Sequence, residues 1–314
     1  MRGFKDYVIL YLKGMGMGGA DVVPGVSGGT IAFISGIYEE LIHSIKSFDL
    51  DAIRLLFAFR LQEFWQTING NFLIVLFLGI ATSIISLAKL ITFLLQEYPI
   101  QLWSFFFGLI VISALSVGTQ IKKKNFVSVF SGIVGVIVAF WVTTATPAVT
   151  PDGLWFIFLS GMVAICAMIL PGISGSFILL IFGKYEFILS SLHNLELIVI
   201  LVFILGCLVG ILSFSRIVSW LLLHYHDLTI AMLAGFMIGS LNKIWPWKLT
   251  TQFRVNSNGD QVPFIQENIL PNNFFQLTGE QPLILNAIFF MAFGFFIIVI
   301  IEKIALAVKK QNRG

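Results

Sequence analysis

Pro24-Gly25-Val26-Ser27-Gly28-Gly29-Thr30 opens a segment that closes on Gly36-Ile37-Tyr38-Glu39. Pro171-Gly172-Ile173-Ser174-Gly175-Ser176-Phe177 opens a second one that closes on Gly183-Lys184-Tyr185-Glu186. At a constant offset of 147 (171 − 24), Pro, Gly, Ser, Gly, Gly, Tyr and Glu recur in register. Both copies break a helix, yet both are set in strongly apolar sequence. Paired interruptions in the two halves of a membrane chain point to the substrate site of a transporter.

The surroundings are those of a polytopic membrane protein. Mean hydropathy is +0.95, and only 11% of the 314 residues are charged, against about 25% in soluble proteins. Six apolar runs long enough to cross a bilayer are expected at 72–95, 102–119, 127–146, 197–222, 229–245 and 283–308. The fold expected is all-α, built from two repeats, 1–146 and 147–314. Each would hold a re-entrant broken-helix hairpin (14–45 and 154–192) followed by three spans. Tyr7 to Leu12 is too short for the apolar core of a cleavable signal, and Lys13 closes it. Cys166 and Cys207 match no metal or disulfide spacing. No metal, cofactor or nucleic-acid site is expected.

Charge gives the orientation. Arg2, Lys5, Lys13, Lys46, Arg54, Arg60, Lys122, Lys123, Lys124, Lys309, Lys310 and Arg313 fall in alternate connections, whereas Glu97 and Asp152 mark the others. The positive-inside rule then places both termini in the cytoplasm. With three spans per half, the two halves would be of inverted topology. Residues 246–282 carry mixed charge, including Asp260, and read as an outer loop.

The repeat continues at a second offset of 127 (206 − 79). Gly79, Ser86, Lys89, Tyr98, Gly108 and Ser113 return as Gly206, Ser213, Arg216, Tyr225, Gly235 and Ser240. The change of offset places an insertion in the first half at 46–70. There Ile53, Leu56, Phe57, Leu61 and Phe64 recur at helical spacing, which predicts an amphipathic helix on the inner surface. All seven tryptophans fall near expected span ends, as interfacial anchors do.

The motif's chemistry suits an anion. Pro and Gly end one helix, and the following Ser starts another as its N-cap. The first amides of the new helix lack intrahelical partners, and in hydrocarbon they must be satisfied. Gly28, Gly29 and Gly175 let an anion approach those amides. Ser27, Thr30, Ser174 and Ser176 add hydroxyl donors. Lys89 and Arg216 occupy matching positions inside apolar spans, where a cation suggests a purpose. Snorkelling toward headgroups is the plain alternative, stronger for Lys89. Arg216 has the fork geometry for a bidentate hold on phosphate. Asp21, Glu39 and Glu186 are candidates for a coupling ion, most simply a proton. Asp21 has Met168 as its repeat counterpart.

These motifs, with Gly18-Gly19-Ala20-Asp21-Val22-Val23 before the first, resemble the PopT family of bacterial polyprenyl-phosphate transporters. The resemblance covers essentially the whole chain. It implies return of undecaprenyl phosphate, the carrier lipid of cell-wall synthesis, from the outer to the inner leaflet of the plasma membrane. The residues themselves point only to an alternating-access carrier for an anion. A carrier for a small soluble anion is one rival. A membrane lipid phosphatase is another, although no surface gathers His, Asp or Glu at a spacing suited to hydrolysis.

Overall fold

The computed structural model describes residues 2–23, 26–148, 150–255 and 261–311. Pro24 and Gly25 of the first motif, and Asp260 and Arg313 of the charge pattern, lie outside the described residues.

The chain begins with α1 (Phe4–Asp21), α2 (Gly28–Ile34) and α3 (Tyr38–Lys46). Two short helices follow, α4 (Leu50–Phe57) and α5 (Leu61–Thr67), and then α6 (Gly70–Glu97), α7 (Pro99–Thr119) and α8 (Phe126–Thr144). The second half repeats the pattern with α9 (Leu154–Ile169), α10 (Gly175–Ile181), α11 (Tyr185–His193), α12 (Leu197–His224) and α13 (His226–Ser240). A hairpin, β1 (Lys248–Val255) with β2 (Gln261–Asn268), leads into α14 (Pro271–Thr278) and α15 (Ile284–Gln311).

Helix boundaries reproduce both offsets. Residues 28–34 and 38–46 map at 147 onto α10 and α11, and 70–97 maps at 127 onto α12. The turns between the short helices match too: Gly36 and Gly183 both take positive φ, 71° and 61°, which a β-carbon would strain. α4 and α5 fill the insertion.

Packing repeats along with the elements. A β-carbon on Gly79 would stand 2.3 Å from the Tyr11 carbonyl oxygen, and one on Gly206 would stand 2.1 Å from that of Phe158. Across the same contacts, Gly14 faces the Leu76 carbonyl and Gly161 that of Phe203. Small residues bring α1 against α6 and α9 against α12, the usual device where lipid offers no hydrophobic drive between helices. The later spans pair across the halves: α13 lies on α8, and Gly108 of α7 faces the Met291 carbonyl of α15. The chain accordingly forms two compact units that cut across the repeats, residues 1–91 with 114–240 and residues 92–113 with 241–314.

Among the described residues, four helices are long and apolar enough to cross a membrane: Gly70–Leu87 within α6, then α7, α8 and α12. α10 and α11 form a fifth apolar unit, bent by 107°. The protein is therefore a multi-pass, mainly helical membrane protein.

Several expectations need correction. The span expected at 229–245 is a 15-residue helix that stops at Ser240. Most of its residues are buried, so protein rather than lipid surrounds it. The helix leading into the first break starts at Phe4 rather than 14 and runs unbroken through Lys13. The single amphipathic helix expected at 46–70 is two helices: Phe59 takes φ 56° between them, and Leu50, Phe57, Phe59 and Leu61 are exposed. The segment expected as a loop at 246–282 holds the two strands and α14. Trp247 in that segment and Trp103 of α7 are buried against protein. The Trp247 indole donates to the Pro282 carbonyl at 2.7 Å, and the Lys248 ammonium sits 4.0 Å above the Trp103 ring.

Candidate functional site

The two motifs meet. Ser27 Oγ donates to the carbonyls of Met168 (3.2 Å) and Leu170 (3.4 Å), at the end of α9. In return the Gly172 amide donates to Thr30 Oγ1 at 2.9 Å. Gly172 has φ +88°, so the second break turns where only glycine fits easily. A β-carbon on Gly29 would stand 2.9 Å from the carbonyl oxygens of both Met168 and Ile169. The missing side chain thus permits the closeness of the two tips.

Ser27 is the N-cap of α2, as its position predicts, and its hydroxyl accepts from the Gly29 amide at 3.1 Å. The Gly28 amide, an orphan of the helix start, donates to Asp21 Oδ1 at 2.7 Å. Asp21 ends α1 and reaches back across the break, so the first copy supplies its own anion to its own helix. Ser27 and Thr30 are almost fully buried.

The second copy lacks this closure. Met168 stands where Asp21 would be, its thioether chain packed on Gly175. Ser174 is the N-cap residue of α10 but makes no side-chain cap bond; its hydroxyl pairs with Ser176 Oγ at 2.8 Å. Ser174 is buried, whereas Ser176 and Met168 are exposed. One tip is sealed and the other has an open edge.

The expected cations lie elsewhere. Lys89 is exposed on α6. Arg216 is exposed on α12, where its guanidinium donates to the carbonyls of Leu212 (2.7 Å) and Phe48 (3.2 Å). Among the described residues, neither hydrogen-bonds to the motifs. Glu39 Oε1 stands 3.4 Å from His226 Nε2, and Glu186 is exposed on α11; both lie in the first turn of a short helix that is separated from its break by another.

Two residues were missed by sequence reasoning. Lys184, where the first copy has Ile37, is 2% exposed. It pairs with Asp152, donates to the Thr150 carbonyl at 3.0 Å and lies 5.7 Å from the rings of Phe156 and Phe187. A lysine replacing isoleucine within the repeat was the available signal. Ser83 is the other. Its hydroxyl is buried without a hydrogen-bond partner among the described residues, and it faces Gly18 and Gly19 just before Asp21. Its counterpart at 127 is Gly210, so the repeat gave no hint of it.

This arrangement can be set against known proteins. The family model described as undecaprenyl phosphate translocase-like matches residues 17–262. A polyprenyl-phosphate transporter of Vibrio cholerae is 47% identical over 300 residues, covering 96% of this chain and 97% of that protein. One from Staphylococcus aureus is 34% identical over 264 residues, covering 78% and 88%. No solved structure matches. Both tips and the half-buried Asp21 lie within the matched stretch, and the chain belongs to the undecaprenyl phosphate translocase-like family.

Proposed function

We propose that this protein is a carrier, not an enzyme, that moves undecaprenyl phosphate or a close polyprenyl phosphate from the outer to the inner leaflet for reuse in cell-wall synthesis. The phosphate would sit between the two tips while the prenyl tail stays in lipid. The observation that carries this reading is the direct meeting of the motifs through Ser27, Thr30 and Gly172. Those donors are now satisfied by protein acceptors, as an apolar setting demands. A phosphate oxygen could replace each acceptor as the tips part. Ser27, Gly28, Gly29 and Thr30 would supply one side, with Ser174, Gly175 and Ser176 the other. The open edge at Ser176 is the natural point of entry. Lys89 and Arg216 would guide the headgroup from the exposed faces of α6 and α12.

Asp21 is the first candidate for proton coupling, because it holds the amide that the phosphate needs. A protonated Asp21 gives up that hold far more readily than a carboxylate. Glu39 and Glu186 are the further candidates. With both termini in the bacterial cytoplasm and halves of inverted topology, inward movement opposes a negative-inside potential by ~2.3 kcal/mol per charge per 100 mV. A proton moving with the anion offsets that term.

The test is leaflet-resolved movement of the lipid in proteoliposomes. Transport should be lost in the Ser27→Ala, Ser174→Ala double variant. Unchanged movement in a folded double variant would remove the site. Uptake of a water-soluble phosphate without lipid movement would favour a soluble-anion carrier. Release of inorganic phosphate would mark a phosphatase.

A further inference from the structure

Arg216 has a cationic neighbour that its place in the repeat does not reveal. α3 of the first half packs along α12 of the second. Lys46, the last residue of α3, donates from Nζ to Ser219 Oγ on α12 at 3.3 Å. Two residues later the Phe48 carbonyl accepts from Arg216. Ser219 and Arg216 are three apart on α12 and share a face. The ammonium and the guanidinium therefore lie along one stretch of α12, between Leu212 and Ser219, and both are held by neutral oxygens alone. Among the described residues, neither forms an ion pair. Asp49, the nearest carboxylate in sequence, caps α4 through the amides of Asp51 and Ala52, and Asp51 pairs with Arg54.

Arg216 lies eight residues before the end of α12, about 12 Å along a helix. Arg216 is thus about two turns inside the end of α12, next to the chain that leads into α4. Ile217, Trp220 and Leu223 on α12, and Leu50 at the start of α4, are exposed apolar residues near these cations in sequence. Two cations along one helix, without a carboxylate partner and bordered by exposed apolar residues, suit a doubly charged headgroup with a hydrocarbon tail. A phosphomonoester carries about −1.5 to −2 charges near neutrality, whereas a phosphodiester carries one.

We propose that Lys46 and Arg216 form a lateral docking site for the headgroup of a phosphomonoester lipid, separate from the tips. The proposal rests on the reading of the chain as a lipid-phosphate carrier and adds the place where its cargo is held at the lipid-facing surface.

The experiment is a binding titration by native mass spectrometry, on the full chain in zwitterionic nanodiscs. The probes are farnesyl phosphate, farnesol, phosphatidylglycerol and inorganic phosphate. Farnesyl phosphate should bind the native protein best, and Lys46→Gln with Arg216→Gln should weaken it by roughly tenfold. Lys46→Arg with Arg216→Lys keeps both charges and should retain most of the affinity, which separates charge from folding. On the Ser27→Ala, Ser174→Ala background, which removes any share bound at the tips, the loss caused by the Gln pair should persist. Unchanged affinity in the Gln pair overturns the proposal, as does equal binding of phosphatidylglycerol (a bulk-lipid contact) or of inorganic phosphate. Should the Gln pair not fold, a photoreactive prenyl phosphate must label the α3–α4 turn of the native protein, and labelling only elsewhere overturns it. The function itself fails differently: no leaflet movement by the native protein, whatever this site binds.

Discussion

The short helices after the two breaks have the same lengths and the same glycine turn between them, yet the breaks end in opposite chemical states. The first is closed: Asp21 holds the Gly28 amide, and Ser27, almost fully buried, caps its helix. The second is loose: Met168 replaces the acid, and Ser174 and Ser176 satisfy each other beside an open edge. Duplicated architecture thus ends in two chemically different tips. The carrier reading proposed above uses that difference, because two self-sealed tips would leave no donors and two open ones would leave buried amides bare.

The comparison can be broken first at its shared foundation. Gly206→Leu should prevent accumulation of folded protein, since its β-carbon would meet the Phe158 carbonyl at 2.1 Å, well beyond the ~1–3 kcal/mol of ordinary overpacking. Gly79→Leu should do the same if the halves are equivalent. Size-exclusion chromatography in detergent reads the outcome, and tolerance at one site alone would show the packing to be unequal.

Next comes the acid. Asp21→Ala strands the Gly28 amide, which should lower stability by about 1–3 kcal/mol and abolish leaflet movement. Met168→Leu at the matched position should leave both nearly unchanged. Thermal melting and the proteoliposome assay distinguish the two, and equal effects would erase the asymmetry.

The caps give a finer contrast. Ser27→Ala removes an N-cap and the link to the second motif, worth roughly 1–2 kcal/mol. Ser174→Ala loses no cap bond and should melt within about 0.5 kcal/mol of the native protein.

The smallest effect concerns pH, at the α12–α13 junction, where the second half has Asp227 and the first has Ile100. The amides of Lys123 and Lys122 hold the Asp227 carboxyl below the usual carboxylate range. A depressed folded value means that the stabilisation is complete above the unfolded pKa of about 3.9. It is lost as pH falls through the folded value. Asp227→Asn should flatten the acid limb of a melting-temperature profile; an unaltered limb would show this contact to be inert.

Much of this was legible in the chain. The offsets of 147 and 127 fixed helix boundaries because a duplicated sequence keeps its breakers, caps and small-residue contacts in register. Apolar length marked the spans, and serine after Pro-Gly marked the two restarts. Tertiary structure alone decided which groups meet. Hydrogen bonds between residues some 140 apart, such as Ser27 with Met168, leave no local pattern. Nor does the bond from Lys46 to Ser219 across the two halves. Asp21's partner was hidden because a carboxylate before a helix break can face water, a cation or an amide, and only packing selects among them. The hairpin at 248–268 escaped for a related reason: its irregular register carries no clean alternation, so the pairing emerges only once Trp247 and α14 cover it.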